Sequence, residues 1–170
     1  MANPLKQLKK DSDYRKLENI LEGCTLNPKS LLEEVQRTHA SRKSRLLGVK
    51  RGISSSKINK ASLQDIAFRS RIVEIRSEVR LQLNAVDSAF GIVHSSMLGK
   101  YSASILKPYN TKSEKESVIS SLPSMQRAQR LVDGFSSLVE LCDDVIEDID
   151  KTAWALKLAM QGIELALRDG

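Results

Sequence analysis

The longest regular pattern of hydrophobic positions runs from Ala128 to Leu167, where apolar residues recur at alternating steps of four and three. This is a heptad, with positions named a to g and apolar residues at a and d. It is typical of a helix that packs along another helix for most of its length. Additional leucines beside the stripe predict more than one neighbour, either within one subunit or in a helical oligomer. We predict oligomerisation through the following residues of this seam: Phe135, Val139, Cys142, Ile146, Ile149, Leu156, Met160 and Ile163.

A second stripe of the same kind lies between Phe68 and Met97, with one additional step of four at Val79–Leu83 that locally unwinds a supercoil. The Ser-x-x-Asp sequence at 62–65 is close to a capping box and predicts the start of this helix. We expect the helix to be the antiparallel partner of the C-terminal one.

Weaker signals organise the rest of the chain. Residues 5–22 predict a short amphipathic helix, and Asn27 followed by Pro28 predicts the start of another that ends by Gly48. Glycines, serines and cations at 48–61 are typical of a mobile linker. Residues 99–123 interrupt the helical pattern before helix resumes near Pro123. This stretch is interpreted either as a crossover with its tyrosines packed on the protein body or as a loop that stacks on bases.

These elements predict an all-α protein, a long antiparallel helical hairpin or bundle with coiled-coil-like heptads and an N-terminal basic helical arm. We expect two parts, an arm and linker at 1–61 and an oligomerisation domain at 62–170. The composition agrees, because aromatic residues make up only 4 % of the chain and Gly and Pro are few. No apolar run reaches membrane-spanning length, and residues 1–10 lack the apolar region of a signal peptide. Two cysteines far apart in sequence fit a reducing cytoplasm, and Cys142 is expected in the core.

The distribution of charge adds a candidate function. The net charge is +6, and residues 37–60 contain eight basic residues and no acidic one. A basic segment on a near-neutral body is typical of nucleic-acid binding. Arginines in the first half of the central helix extend this region, although some of them are expected to pair with Glu74 and Glu78. The candidate phosphate contacts are Arg37, Arg42, Lys43, Arg45, Lys50, Arg51, Lys57, Lys60, Arg69, Arg71, Arg76, Arg80 and Lys100.

Acidic residues cluster on one face of the last helix: Asp133, Glu140, Asp143, Asp144, Glu147, Asp148 and Asp150. We interpret this face as solvated, or else as a docking surface for the basic arm of a neighbouring subunit or a basic partner. The sequence shows no phosphate-binding glycine loop, no nucleophile motif and no His/Cys metal spacing. We therefore expect a non-enzyme without catalytic residues, cofactor or metal.

Two segments resemble the UvsY-like recombination mediators of T-even-type phages. One is Leu141–Ile149 with Trp154–Lys157, which is similar to the family's C-terminal helix. The other is Phe68–Ile75 with the exit Gly99–Ser102, which is similar to its central helix. The resemblance spans about 62–170. It departs from the family at 93–98, which lacks the family's basic cluster, and we expect the basic arm to supply the phosphate contacts instead.

The resemblance implies a non-catalytic, ring-like homo-oligomer that binds single-stranded DNA, contacts a single-strand-binding protein and helps to load a RecA-like recombinase. Such a protein acts in recombination and replication in the host cytoplasm and does not involve a membrane. The main alternative is a helical adaptor or virion-associated structural protein that does not bind nucleic acid. A helix-turn-helix regulator is a third interpretation. Double-stranded DNA and RNA stay open as ligands.

Overall fold

The computed structural model describes residues 4–50 and 54–168, and the side chains of residues 5–47 and 54–168. These residues contain helices and no strand, so the all-α prediction is confirmed. The helices are α1 (Pro4–Leu8), α2 (Ser12–Gly23), α3 (Pro28–Lys50), α4 (Ser55–Tyr101), α5 (Lys112–Ser120) and α6 (Pro123–Arg168). Whether the two seams supercoil as coiled coils stays a prediction.

Local chemistry accounts for several helix starts. Pro28 and Pro123 each open a helix, as predicted, because proline suits the first helical turn, where no backbone donor is needed. The predicted helix at 5–22 is divided instead into α1 and α2. Asp11 caps α2, since its carboxylate accepts hydrogen bonds from the backbone N–H groups of Asp13, at 2.8 Å, and Tyr14, at 3.4 Å.

The predicted mobile linker at 48–61 is wrong over its described part. Helix α3 continues to Lys50, and α4 begins at Ser55 rather than at residue 62. The hydroxyl of Ser54 accepts a hydrogen bond from the Lys57 N–H at 3.4 Å, and the side chain of Ile58 is buried. A capping serine and an apolar anchor therefore outweigh the serine-rich composition. The boundary proposed at 61/62 falls inside α4, and a separation of arm and domain there stays a prediction.

The predicted interruption at 99–123 contains the short helix α5. Its N-cap, Thr111, forms a capping box: the Thr111 hydroxyl accepts from the Glu114 N–H at 3.1 Å, and Glu114 accepts from the Thr111 N–H at 3.0 Å. Tyr101 and Tyr109 are half-buried and pack against the apolar core of their unit. The structure thus agrees with the interpretation in which the tyrosines pack on the protein body.

The chain divides into two compact units. Unit 1 comprises Met1–Asn27 and Arg80–Ser136. Its apolar core joins residues from α1, α2, the second half of α4, α5 and the start of α6, among them Leu8, Leu17, Met97, Ile119 and Met125. Amphipathic helices bury these residues because each has only one apolar face to cover.

Unit 2 comprises Pro28–Val79 and Ser137–Gly170. It contains α3, the first half of α4 and the remainder of α6. Its buried apolar residues include Val35, Ile72, Ile75, Val145 and Ile149. Most of the predicted phosphate contacts belong to this unit. No helix in the described ranges is both long enough and apolar enough to cross a membrane.

Candidate nucleic-acid interface

Arg42, a predicted phosphate contact, lies in the interior of unit 2. Its side chain is 1 % exposed, and its guanidinium forms a forked pair with Asp65, with Nε–Oδ1 at 3.0 Å and Nη2–Oδ2 at 2.9 Å. A third bond joins Nη1 to Oδ2 of Asp148 at 2.7 Å. Arg42 therefore connects α3, α4 and α6, and its prediction as a phosphate contact is wrong in this conformation.

The position of Arg42 on α3 explains its burial. Arg42 follows the buried Val35 by seven residues, which is two helical turns, so both side chains lie on the same face. Burial disfavours the guanidinium charge, but hydrogen bonds to Asp65 and Asp148 outweigh this effect and raise the pKa of Arg42. The forked pair satisfies the charges of both Arg42 and Asp65. Charged side chains are tolerated in a protein interior when they are paired and hydrogen-bonded in this way.

His39 lies one turn before Arg42 on α3 and faces the carboxylate of Asp148, which also pairs with Arg42. Its Nε2 is 3.6 Å from Oδ2 of Asp148, and its buried Nδ1 has no hydrogen-bond partner in the part of the chain that is described. Burial lowers the pKa of His39, and the nearby charge of Lys43 lowers it further. These two effects favour the neutral form of the imidazole, while the charge of Asp148 opposes them.

Two arginines of α4 pair with the acidic face of α6. Arg69 forms a two-pronged pair with Asp150, with Nε–Oδ1 at 2.8 Å and Nη2–Oδ2 at 3.0 Å, and Arg76 pairs with Asp143. From the first pair to the second, the position on α4 increases from 69 to 76 while the position on α6 decreases from 150 to 143. The two helices therefore run antiparallel within unit 2. The acidic face was predicted to be solvated or to dock a separate partner. Three members of this face, Asp143, Asp148 and Asp150, bind arginines of the same chain and remain partly exposed.

The other two predicted arginines of α4, and Lys100, also have interaction partners. Arg71 lies 3.5 Å from Glu74, which confirms the expected pairing with that residue. Arg80 has an interaction partner as well. Lys100 belongs to unit 1, where its Nζ lies 3.2 Å from Oδ2 of Asp11 and 2.8 Å from Oδ2 of Asp13. These contacts reduce the positive charge that each residue presents to a ligand.

Within the described residues, five other predicted cations have no such carboxylate partner. They are exposed, and in the described parts of the chain none forms an ion pair: Arg37, Lys43, Arg45, Lys57 and Lys60. We call them the unpaired basic residues. Lys50 has its backbone at the end of α3, and its side chain lies outside the described residues, as does the whole of Arg51.

Three of the unpaired basic residues lie close together on adjoining helices. Nη1 of Arg45, on α3, donates to Oε1 of Gln64, on α4, at 3.0 Å. Lys57, Lys60 and Gln64 are spaced by three and four residues, which places them on one face of α4. The contact between Arg45 and Gln64 therefore brings cations of α3 next to those of α4.

The predicted oligomerisation seam is divided by burial. Phe135, Cys142, Ile146 and Ile149 are buried within the chain, and burial raises the pKa of the Cys142 thiol to about 11. Val139, Leu156, Met160 and Ile163 are half-buried. The burial of Cys142 confirms its predicted core position. For all eight residues, a role in oligomerisation stays a prediction.

The last third of α6 exposes apolar side chains that the sequence analysis did not single out as a site. Trp154 is 66 % exposed and Leu167 is 77 % exposed, and Leu158 and Leu165 are also exposed. An open apolar groove of about 550 Å³ lies beside this segment in unit 2. It is lined by Lys43, Leu46, Leu47, Ile58, Leu156 and Ala159, among others. The sequence indicated this exposure through Leu158 and Leu165, which occupy the outward-facing heptad position f.

Within the described ranges, no group of three or more His, Cys, Asp or Glu residues is placed to hold a metal ion. Comparisons of the chain with protein-family models, with characterised proteins and with solved structures find no match.

Proposed function

We propose that this protein is a non-catalytic nucleic-acid-binding accessory factor that acts as a homo-oligomer, with the unpaired basic residues as its phosphate contacts. The observation that carries the proposal is the division of the cations. Carboxylates of the same chain pair with Arg42, Arg69, Arg71 and Arg76. In the described residues, no carboxylate pairs with the unpaired basic residues: Arg37, Lys43, Arg45, Lys57 and Lys60. An exposed set of cations without carboxylates attracts a polyanion and releases counterions when it binds.

The details of the ligand come from the resemblance to the UvsY-like mediators. That resemblance supports single-stranded DNA as the ligand and, as further partners, a single-strand-binding protein and a RecA-like recombinase in recombination and replication. Phosphate contacts alone carry no sequence information. We therefore expect binding that depends weakly on sequence and strongly on salt.

The test is fluorescence anisotropy of labelled single- and double-stranded oligonucleotides at several salt concentrations. A variant with Lys43, Arg45, Lys57 and Lys60 changed to Glu is compared with the unchanged protein. We expect its affinity for the single strand to fall by about tenfold or more. We also expect the negative slope of log K against log salt to become shallower by about 3, because each of the four lost contacts to a single strand removes about 0.7 from its magnitude.

The matched control changes Lys6, Lys9, Lys10 and Arg15 to Glu, which are exposed cations of unit 1. This control has the same net charge as the test variant, and circular dichroism checks that both remain helical. An equal loss of affinity in both variants would mean that net charge alone attracts the strand, and the assignment to α3 and α4 would be wrong.

A second candidate function is a protein adaptor, which the exposed apolar end of α6 favours. Large exposed apolar patches rimmed by polar residues mark sites of protein interaction. Absence of oligonucleotide binding even at low salt would remove nucleic acid as the ligand and leave this candidate.

A further inference from the structure

We propose that the exposed end of α6 pairs with the same segment of a second copy of this chain, in antiparallel orientation, around a two-fold axis close to residues 161 and 162. The inference rests on the homo-oligomer of the proposed function and specifies which residues meet. The segment in question is 153–168, which we call the terminal segment.

The terminal segment keeps the heptad pattern after the chain's own core has ended. Leu156 and Ile163 occupy d positions, and Met160 and Leu167 occupy a positions. The a and d residues before it, Ile146 and Ile149, are buried, whereas these four range from half-buried to 77 % exposed. A seam that stays apolar while its own subunit covers it only in part is suited to a partner helix of the same pattern.

The charges on this segment favour a second copy as that partner. Lys157 and Glu164 both occupy the e position, one heptad apart. Two helical turns, about 10 Å, separate them along the axis, so they do not meet within one helix. In an antiparallel pair, e residues of the two helices flank the seam on the same side. Lys157 of each copy then lies opposite Glu164 of the other, and the two-fold axis produces this contact twice.

The same register aligns the apolar residues. When Lys157 lies opposite Glu164 of the second copy, Met160 lies opposite its Ile163 and Leu156 lies opposite its Leu167. On the other flank, the g residues Ala159 and Ala166 face each other, and their small side chains allow a close approach of the helices. Charge and apolar matching therefore select one and the same register.

The apolar groove fits the end of the paired helix. Leu156 lines this groove together with Leu46, Leu47 and Ile58, so Leu167 of the second copy, opposite Leu156, is directed towards it.

The test exchanges the two charges and measures self-association of the full chain by sedimentation velocity over a dilution series, without DNA. We expect Lys157→Glu and Glu164→Lys each to raise the dimer dissociation constant by about tenfold, because both symmetric contacts change from attraction to repulsion. The double variant K157E/E164K should restore the original value. An equimolar mixture of the two single variants should form mixed dimers as tightly as the unchanged chain.

Two further variants locate the face. Met160→Asp with Ile163→Asp should abolish association, whereas Leu158→Ser with Leu165→Ser, at the outward f positions, should leave it unchanged. The proposal is overturned if the chain is monomeric at all concentrations, if the charge exchange does not restore association, or if the f-position variant is the one that dissociates. Oligonucleotide binding is read separately, so loss of either property is recognised independently of the other.

Discussion

The two units each bury a carboxylate, and they neutralise it in different ways. In unit 2, Asp65 faces Arg42, and both side chains are almost completely removed from water. In unit 1, Asp11 accepts hydrogen bonds from two backbone N–H groups, from the Tyr101 hydroxyl at 2.8 Å and from Lys100, whose side chain is 44 % exposed. The cost of losing one partner therefore depends on which groups can still solvate or pair with the partner that remains. If Arg42 is removed, the buried carboxylate of Asp65 has no other group to neutralise it. If Asp11 is removed, water can bind the freed backbone N–H groups and the half-exposed ammonium of Lys100.

The largest expected effect is therefore at Arg42. Arg42→Ala should reduce the free energy of unfolding by about 3–5 kcal/mol, because Asp65 is left as an unpaired buried carboxylate. Urea denaturation of the purified variant measures this. Lys43→Ala, an exposed neighbour, is the control and should change stability by no more than about 0.5 kcal/mol.

A paired substitution tests whether the unpaired carboxylate of Asp65 causes this loss of stability. Arg42→Met combined with Asp65→Leu removes both buried charges and should recover most of the lost stability, since apolar residues of similar volume often replace a buried ion pair without cost. If Arg42→Ala were no more destabilising than Lys43→Ala, the buried pair would not be part of the folded protein in solution.

Arg42 also marks how far sequence reasoning reaches. Arg42 was predicted as a phosphate contact together with its basic neighbours, because charge density can be read along a sequence and burial cannot. The partners of Arg42 lie 23 and 106 positions away, and only the fold brings Asp65 and Asp148 to it. The spacing of seven from Val35 was the one local sign that Arg42 faces inward.

Helix starts are easier to predict from sequence than the partners of Arg42, because neighbouring residues determine where a helix begins. Pro28 and Pro123 were predicted correctly because a proline in the first turn acts through its own backbone. The capping box at Thr111 and Glu114 is equally local, and the prediction missed it because Gly, Pro and Tyr nearby favoured a loop. The start of α4 was placed too late for a different reason. Ile58 is held by packing within unit 2, which outweighs the linker-like composition around it.

A smaller effect is expected in unit 1, where Asp11→Ala should lower the free energy of unfolding by about 1–2 kcal/mol through loss of the helix cap and its side-chain bonds.

The contribution of Asp11 to stability depends on pH. Burial opposes ionisation of Asp11, but hydrogen bonds from Tyr101, the Asp13 N–H and Lys100 lower its pKa below the ordinary value of 3.8. The folded chain therefore binds fewer protons than the unfolded chain in this range. The stabilisation is complete above pH 3.8 and is lost as pH falls through the lowered folded-state pKa.

Asp11→Asn separates the charge from the cap. Asparagine is as good an N-cap as aspartate but does not titrate. We expect its urea midpoint to depend less on pH than that of the unchanged chain below about pH 4. Asp87→Asn, at an exposed position of unit 1, is the control and should follow the unchanged chain. Parallel acid profiles for the Asp11 variant and the unchanged chain would contradict the lowered pKa.

The smallest expected effect lies at the exposed pair of unit 2, Arg69 with Asp150. Hydrogen bonding to Asp150 raises the pKa of Arg69, yet the two side chains are 44 % and 53 % exposed, so water and salt screen their attraction. A double-mutant cycle with Arg69→Ala and Asp150→Ala should give a coupling energy of no more than about 1 kcal/mol, and this coupling should shrink as salt is raised. The pair Arg71 and Glu74, also exposed and within one helix, is the reference and should couple by about 0.5 kcal/mol or less. A coupling at Arg69 as large as the effect of removing Arg42 would mean that burial does not explain the difference between the two arginines, and the geometry of the forked pair would have to explain it instead.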